Sequence, residues 1–241
     1  MGFIAFKFSK IFDKKSVVYG TILGVVLFGS FVAQTYALKL TFSSSVAFIT
    51  GLECVIVPFM TALIFKNKIT IFAIFGALIA IFGLWLLSGA ALALGVGEAL
   101  ALLCAIFYAL YTSLNGHFVR KCELYLLVFV VFLTVSLLSF VFAFIEGSVV
   151  PNYDREFFIA IFITAFIGTI FCYFVQTIAQ KYTTASKAAL FFCLEPVSAG
   201  LIGYFFAGEI LSIWQIFGAA LIIFGVIFSE FGKQICSKFK L

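Results

Sequence analysis

The sequence predicts an all-α protein that crosses a lipid bilayer eight times. Three observations predict this fold class: the composition, the length of the apolar runs and the position of the basic residues between them. Of the 241 residues, 65% are hydrophobic and only 10% are charged, whereas an ordinary soluble domain carries about 25% charged residues. So little charge cannot cover a soluble body of this size, which excludes a cytosolic enzyme, a nucleic-acid-binding module and a disordered chain.

Each predicted helix rests on an apolar run long enough to cross the hydrocarbon core, which takes about 20 residues. The eight runs span 17–38, 43–65, 70–89, 96–119, 124–145, 156–179, 185–207 and 211–230. Short polar breaks such as Lys66-Asn67-Lys68 and Pro151-Asn152 separate them. Because lipid offers no hydrogen bonds to the backbone, each run is expected to be helical.

Lysine and arginine set the expected orientation, since cytoplasmic loops carry an excess of both. With the N-terminus in the cytoplasm, 13 of the 15 basic residues fall inside, and only Lys39 and Arg155 fall outside. We therefore predict a multi-pass protein of the cell inner membrane with both termini in the cytoplasm. Residues 1–16 would form an interfacial N-terminus and residues 231–241 a cytoplasmic tail.

An internal repeat is the most informative feature of the chain. The segment QTYALKLTFSSSVAF (34–48) matches QTIAQKYTTASKAAL (176–190), and the same spacing of 142 residues continues without a gap. Over residues 34–83, 18 of 50 positions are identical to their partners. The polar identities, which apolar composition alone does not explain, include Gln34/Gln176, Lys39/Lys181 and Glu53/Glu195.

The spacing predicts how the two copies are oriented. Residue 34 lies in the first run and residue 176 in the sixth, so the repeat is five helices long. Because five is odd, the copies cross the membrane in opposite directions, which is typical of secondary transporters. The first copy is expected to hold three helices (17–89) and the second copy five (96–230). A late start codon, a truncated gene or a genuine eight-helix variant would each explain why the first copy has two helices fewer than the second.

Residues 166–230 contain Gln-x-x-Ala-Gln-Lys, Leu-Glu-Pro and Gly-Glu segments and paired glycines. This pattern resembles the EamA-type branch of the drug/metabolite transporter superfamily, with weaker similarity over 47–65 and 97–121. The resemblance implies ten helices in two inverted repeats that move small metabolites. The chain departs from it in two places: the first two helices are missing, and Lys66-Asn67 stands where the second copy has Gly208-Glu209.

Two glutamates are the first candidate site residues. Glu53 and Glu195 lie about ten residues into their helices, which at about 1.5 Å per residue reaches the bilayer midplane. An ionised carboxylate there costs roughly 2.5–3.5 kcal/mol. One interpretation is a pair that accepts a proton or binds a cation. The other is a neutral glutamate that hydrogen-bonds a neighbouring helix, near Pro196 in the second copy.

A polar stripe on the fourth helix supplies further candidates for substrate or ion binding. Its residues Tyr108, Tyr111, Thr112 and Asn115 share one helical face, and Tyr173 and Gln176 form a similar pair on the sixth helix. Such a stripe must face protein or water, so hydrogen bonding between helices is the alternative role. Pro58 and Pro196 are candidate helix breaks or hinges.

Other residue types point to packing and helix ends. The six cysteines are single and lie mostly in apolar runs, so we predict reduced packing residues. Gly20-x-x-x-Gly24 predicts close helix packing, and Glu98 predicts a helix cap. The sequence contains no Ser/His/Asp set, metal-ligand cluster or phosphate-binding loop, so no enzymatic activity, metal or cofactor is expected.

Together these patterns predict a secondary transporter of small metabolites, either amino-acid-like or drug-like, that works by alternating access. With no ATP-binding segment, an ion or solute gradient would drive it. The expected partners are a small-molecule substrate and the lipid bilayer, not nucleic acid, and a homodimer is compatible with the sequence. Two alternatives stay open: a non-transporting remnant or subunit that needs a partner to complete the fold, and an intramembrane enzyme, which the missing catalytic set disfavours.

Overall fold

A computed structural model describes residues 13–41, 43–66, 69, 71–87, 95–147, 154–185, 188, 192 and 212–239. All regular secondary structure in these residues is helical. The elements in chain order are α1 (Lys14–Leu40), α2 (Ser43–Gly51), α3 (Glu53–Phe65), α4 (Ile71–Leu87), α5 (Val96–Phe118), α6 (Leu124–Glu146), α7 (Arg155–Ile161), a π-helix (Phe162–Phe171), α8 (Cys172–Tyr182) and α9 (Ile213–Phe239).

Within the described ranges, four helical segments are long and apolar enough to cross a membrane. They are α1, α5, α6 and the run Phe157–Tyr182, which joins α7, the π-helix and α8. Shorter apolar segments cover Ile49–Phe65, Ile74–Leu86 and Ile213–Gly225. Helices therefore occupy seven of the eight predicted segments. The remaining one, 185–207, lies outside the described residues except at three positions.

The second predicted helix is interrupted, and the interruption is not at its proline. The N–H of Leu52 donates to the carbonyl of Ile49 at 3.1 Å, a three-residue bond that tightens the end of α2. The next helix, α3, begins at Glu53 and continues through the buried Pro58. A helix break therefore places Glu53 in the first turn of α3.

Two further elements differ in detail from the apolar runs. In a π-helix each backbone N–H donates to the carbonyl five residues earlier. The side-chain hydroxyl of Thr169 has the same five-residue spacing, because it donates to the Thr164 carbonyl at 2.9 Å. None of its residues is buried. The last helix continues to Phe239, past the expected end at 230. The end of the apolar run marks where the chain is expected to leave the membrane, not where the helix ends. No proline follows residue 230 to stop the helix there.

The chain divides into two compact units. The first unit contains Met1–Phe28 and Leu114–Thr184, and the second contains Gly29–Ser113 and Ala185–Leu241. Both α1 and α5 contribute residues to each unit. Each unit therefore combines segments from both of the expected repeats.

In the first unit, α1 packs closely against α6. A Cβ atom added to Gly20 would lie 2.8 Å from the Cβ of Val130, and one added to Gly24 would lie 2.6 Å from the Cβ of Thr134. Contact positions advance together along both helices, so the helices are parallel. Glycine permits this approach because a side chain would separate the two backbones. The Gly20-x-x-x-Gly24 segment thus has the packing position that its spacing predicts.

In the second unit, α4 packs against α9 through glycines on both helices. A Cβ atom on Gly83 would lie 2.7 Å from the carbonyl oxygen of Gly218, and one on Gly225 would lie 2.7 Å from the carbonyl oxygen of Gly76. The start of α4 thus meets the later part of α9, and the end of α4 meets the start of α9. The two helices are therefore antiparallel.

The residues that join α4 and α9 are equivalent under the 142-residue spacing. Each helix presents the same positions to the other, as the two sides of a two-fold symmetric contact do. The equivalent pairs are Gly76/Gly218, Ala80/Ile222 and Gly83/Gly225. Sequence similarity and geometry therefore identify the same residues.

Candidate functional site

Glu53 forms the centre of a polar cluster in the second unit. Its Oε1 accepts a hydrogen bond from Oγ1 of Thr112 on α5 at 2.6 Å. Thr112 is fully buried and Glu53 is half-buried. Because Glu53 lies in the first turn of α3, the positive end of the helix dipole favours a carboxylate there. The helix break and the hydroxyl together can hold a negative charge among apolar helices.

A second polar pair lies one turn earlier on α5. The hydroxyl of Tyr108 donates to Oε1 of Gln34 on α1 at 3.0 Å. The ring of Phe31 meets the Tyr108 ring edge-on, with centroids 6.2 Å apart. Gln34 was not among the candidate residues, although the repeat makes it the equivalent of the candidate Gln176. That equivalence was the signal that could have found it.

A further hydrogen bond of this unit holds α5 against α3. Oγ1 of Thr61 donates to Oγ of Ser113 at 3.1 Å, which adds a second hydrogen bond between the same two helices. Tyr111 is only 2% exposed and belongs to the packed interior. The cluster therefore offers three half-buried polar side chains, a carboxylate, a phenol and an amide, that can bind a proton, a cation or a polar group of a solute.

Asn115 makes its hydrogen bonds inside the first unit. Its Nδ2 donates to Oε1 of Gln180 at 2.7 Å and to Oγ1 of Thr177 at 3.2 Å, and all three side chains are buried. Thr177 in turn donates to the carbonyl of Tyr173 at 2.8 Å. This geometry favours the alternative role for Asn115, in which its amide joins α5 to α8.

Replacing Asn115 by alanine is expected to lower the free energy of unfolding by about 1–3 kcal/mol, because buried acceptors lose their donor. Thermal unfolding of the purified chain in detergent measures this loss. Thr21→Ala is the matched control, because the Thr21 side chain is exposed and bonds only its own helix, at the Val17 carbonyl. Lost transport at unchanged stability would contradict the joining role.

The other candidates occupy varied positions. Tyr173 is half-buried and meets Phe132 edge-on, with ring centroids 6.4 Å apart, and Gln176 is half-buried on α8. Glu195 and Pro196 lie outside the described residues. Glu98 accepts a hydrogen bond from the N–H of Gly95 at 2.9 Å, as expected of a helix cap, and it also bonds the hydroxyl of Thr41.

Cysteine pairing corrects one expectation. Cys54 is disulfide-bonded, so the prediction that all six cysteines are reduced is wrong at this residue. Single spacing in a sequence does not show which thiols meet in space. Cys104, Cys122 and Cys172 are free. In the part of the chain that the structure describes, no group of three His, Cys, Asp or Glu side chains could hold a metal ion.

Long apolar helices and a polar cluster define a multi-pass α-helical membrane protein. The family model described as the EamA-like transporter family matches residues 1–89 and 95–231. The chain belongs to this family. The resemblance drawn from the 166–230 segment is thereby confirmed.

Two relatives come from Archaeoglobus fulgidus, and each is named an uncharacterized transporter. One is 30% identical over 205 residues, which cover 85% of this chain and 66% of the relative. The other is 42% identical over 48 residues, 20% of this chain and 18% of the relative. The chain thus spans just under two thirds of the length of the first relative and less than a fifth of the second.

A crystal structure described only as that of a protein has a similar fold. It superposes with a TM-score of 0.72 at 17% sequence identity, over 90% of this chain and 85% of that chain. At this identity the similarity concerns the fold alone.

Proposed function

We propose that this chain is a secondary transporter that moves small metabolites across the inner membrane by alternating access. Membership of the EamA-like transporter family supports the proposal. The observation that carries it is the hydrogen bond between Glu53 and Thr112 next to a helix break. Transporters typically build substrate and ion sites where a membrane helix is interrupted. Glu53 would bind the coupling proton or cation, with Glu195 as its equivalent in the second copy.

The reciprocal glycine contacts support an inverted repeat. Two copies related by an axis in the membrane plane place equivalent helices antiparallel, as α4 and α9 are. Such copies can exchange conformations, which would give outward-open and inward-open states. The five-helix period and the cytoplasmic termini belong to this proposal.

Tyr108 and Gln34 would contact the solute. Their hydrogen bond joins a phenol and an amide, two groups that can exchange their mutual bond for bonds to the amino, carboxylate or hydroxyl groups of a metabolite. The apolar rings around them would accept its carbon skeleton. An amino-acid-like or drug-like solute fits this chemistry.

The proposal is tested by reconstituting the full chain in liposomes and measuring uptake of amino acids and drug-like solutes under imposed pH and sodium gradients. Native mass spectrometry of the same sample gives the oligomeric state and tests the homodimer expectation. Gradient-driven uptake of at least one solute is expected. A well-folded chain that moves none of them would contradict the proposal and favour a subunit that needs a partner.

Tyr108→Phe is expected to weaken transport without lowering the amount of protein in the membrane. The phenylalanine ring keeps the contact with Phe31 but cannot donate to Gln34 or to a solute. Tyr182→Phe is the control, because Tyr182 is 79% exposed. Transport and abundance are measured on the same vesicles. A fall in abundance equal to the fall in transport would assign the hydroxyl a structural role only.

A further inference from the structure

Three segments of the first unit meet at one end. The turn between α5 and α6 contacts α1, because the N–H of Glu123 donates to Oγ of Ser16 at 2.9 Å. The same turn contacts the end of α8, because Nη2 of Arg120 donates to the carbonyl of Thr183 at 2.6 Å. Five exposed basic side chains, called the basic end below, are thereby brought together: Lys14, Lys15, Arg120, Lys121 and Lys181.

The two carboxylates described at this end cap helices. The Asp13 carboxylate accepts from the N–H groups of Lys15 and Ser16, each at 3.2 Å. The Lys15 N–H and the Ser16 hydroxyl hold the pKa of Asp13 below its usual value. Glu123 accepts from the N–H of Leu126 at 2.7 Å. The carboxylate oxygens of Asp13 and Glu123 thus accept hydrogen bonds from the first turns of α1 and α6. The basic end has five basic side chains and only these two described carboxylates.

His117 leaves this balance unchanged. Its Nε2 lies 2.7 Å from Nζ of Lys121. A lysine ammonium can donate to Nε2 of a neutral imidazole, so this contact adds no negative charge to the basic end. The basic end therefore keeps an excess of positive charge that only a ligand or counter-ion from outside the described residues could balance.

An apolar surface continues from the basic end along the same unit. Tyr125 and Tyr182 flank it and are 68% and 79% exposed, as is typical of tyrosines at a membrane–water interface. On α6, Phe129 and Leu137 are also exposed. A ligand with an anionic group at one end and an apolar tail along the helix would match both surfaces.

We propose that the basic end binds the phosphate of an anionic membrane lipid such as phosphatidylglycerol. Clustered lysine and arginine side chains beside a membrane helix attract anionic head groups, and the Arg120 guanidinium has further donors for phosphate oxygens. A soluble anion would match the charge but leave the adjoining apolar surface unused. This binding does not depend on the proposed transport activity.

The test titrates the detergent-purified full chain with dioctanoyl phosphatidylglycerol and, separately, dioctanoyl phosphatidylcholine, and follows adducts by native mass spectrometry. The double variant Lys121→Gln/Lys181→Gln is expected to bind phosphatidylglycerol about 30-fold more weakly, with each charge contributing about fivefold. Lys39→Gln/Arg155→Gln removes the same charge from the opposite end of α1 and from the start of α7, which lies at the other end of the helical stretch that finishes with α8. It is expected to leave the affinity unchanged.

Three results would overturn the proposal: equal affinity for the two lipids, equal loss in both double variants, or displacement of the lipid by inorganic phosphate at equal concentration. The last would identify a site for soluble anions. Thermal unfolding checks that each variant is folded. Lys14→Gln/Lys15→Gln, which leaves the Asp13 and Glu123 caps in place, replaces the first variant if that one does not fold.

Discussion

Glu53→Gln is expected to abolish the pH dependence of transport while the chain stays folded. A glutamine has the shape of glutamate and can still accept from the Thr112 hydroxyl, which lies 2.6 Å from Glu53 Oε1, but it cannot take up or release a proton. A proton gradient would then no longer drive the solute. Uptake into liposomes at several imposed pH gradients measures the effect.

Glu98→Gln is the matched control for this experiment. Glu98 is a buried carboxylate of the same unit, but it caps α5 and bonds Thr41 rather than joining the cluster around Glu53. Its replacement is expected to keep the pH profile. If Glu53→Gln transports with the wild-type pH dependence, Glu53 has only a packing role and the proposed coupling is refuted.

Gly83→Ala and Gly225→Ala are expected to cause the largest losses of stability. Either added Cβ atom would lie 2.7 Å from a carbonyl oxygen of the facing helix. A backbone oxygen cannot move aside alone, so α4 and α9 must separate along their length. Each substitution should cost about 1–3 kcal/mol of unfolding free energy, and the equivalence of the two sites predicts similar costs. Thermal or denaturant unfolding in detergent measures both.

The double variant Gly83→Ala/Gly225→Ala, and a control at a glycine without close neighbours, test this explanation further. Once one methyl group has separated the helices, the second should cost less, so the double variant should lose less than the sum of the two single losses. Gly168→Ala is the control, because its Cβ would lie no closer than 3.7 Å to another atom. A loss in Gly168→Ala as large as in Gly83→Ala would contradict the role of the α4–α9 contact.

The sequence predicts the helices well because apolar length is a direct physical requirement of a bilayer. It does not predict where a helix is interrupted. The break at Leu52 follows Gly51, and the π-helix at Phe162–Phe171 contains Gly168. Glycine does not mark such places in the sequence, because Gly20 and Gly24 lie within the continuous helix α1. Pro58, the residue that suggests a break, lies inside the continuous helix α3.

The candidate site was predictable in part. Helical spacing placed Tyr108, Thr112 and Asn115 on one face of α5, but it could not show which groups lie opposite each of them. Asn115 meets Gln180 and Thr177, whereas Thr112 meets Glu53. Such pairings depend on how distant segments pack.

The repeat gave a different kind of information. It showed that Gly76 is equivalent to Gly218 and Gly83 to Gly225, but residues that are equivalent in sequence need not be in contact. The contact follows from packing, in which small residues allow two backbones to approach. Only the structure joins the two observations.

The proposed transport mechanism depends most on the two copies being inserted in the membrane in opposite directions. Lys66, before α4, and Ser212, before α9, are both exposed. Each is replaced by cysteine in a chain whose free Cys122 and Cys172, together with Cys236 of the predicted cytoplasmic tail, are changed to serine. The chain is then treated with a membrane-impermeant maleimide. We expect Lys66→Cys to react only in inside-out vesicles and Ser212→Cys only from outside intact cells. Labelling of both from the same side of the membrane would contradict the inverted repeat.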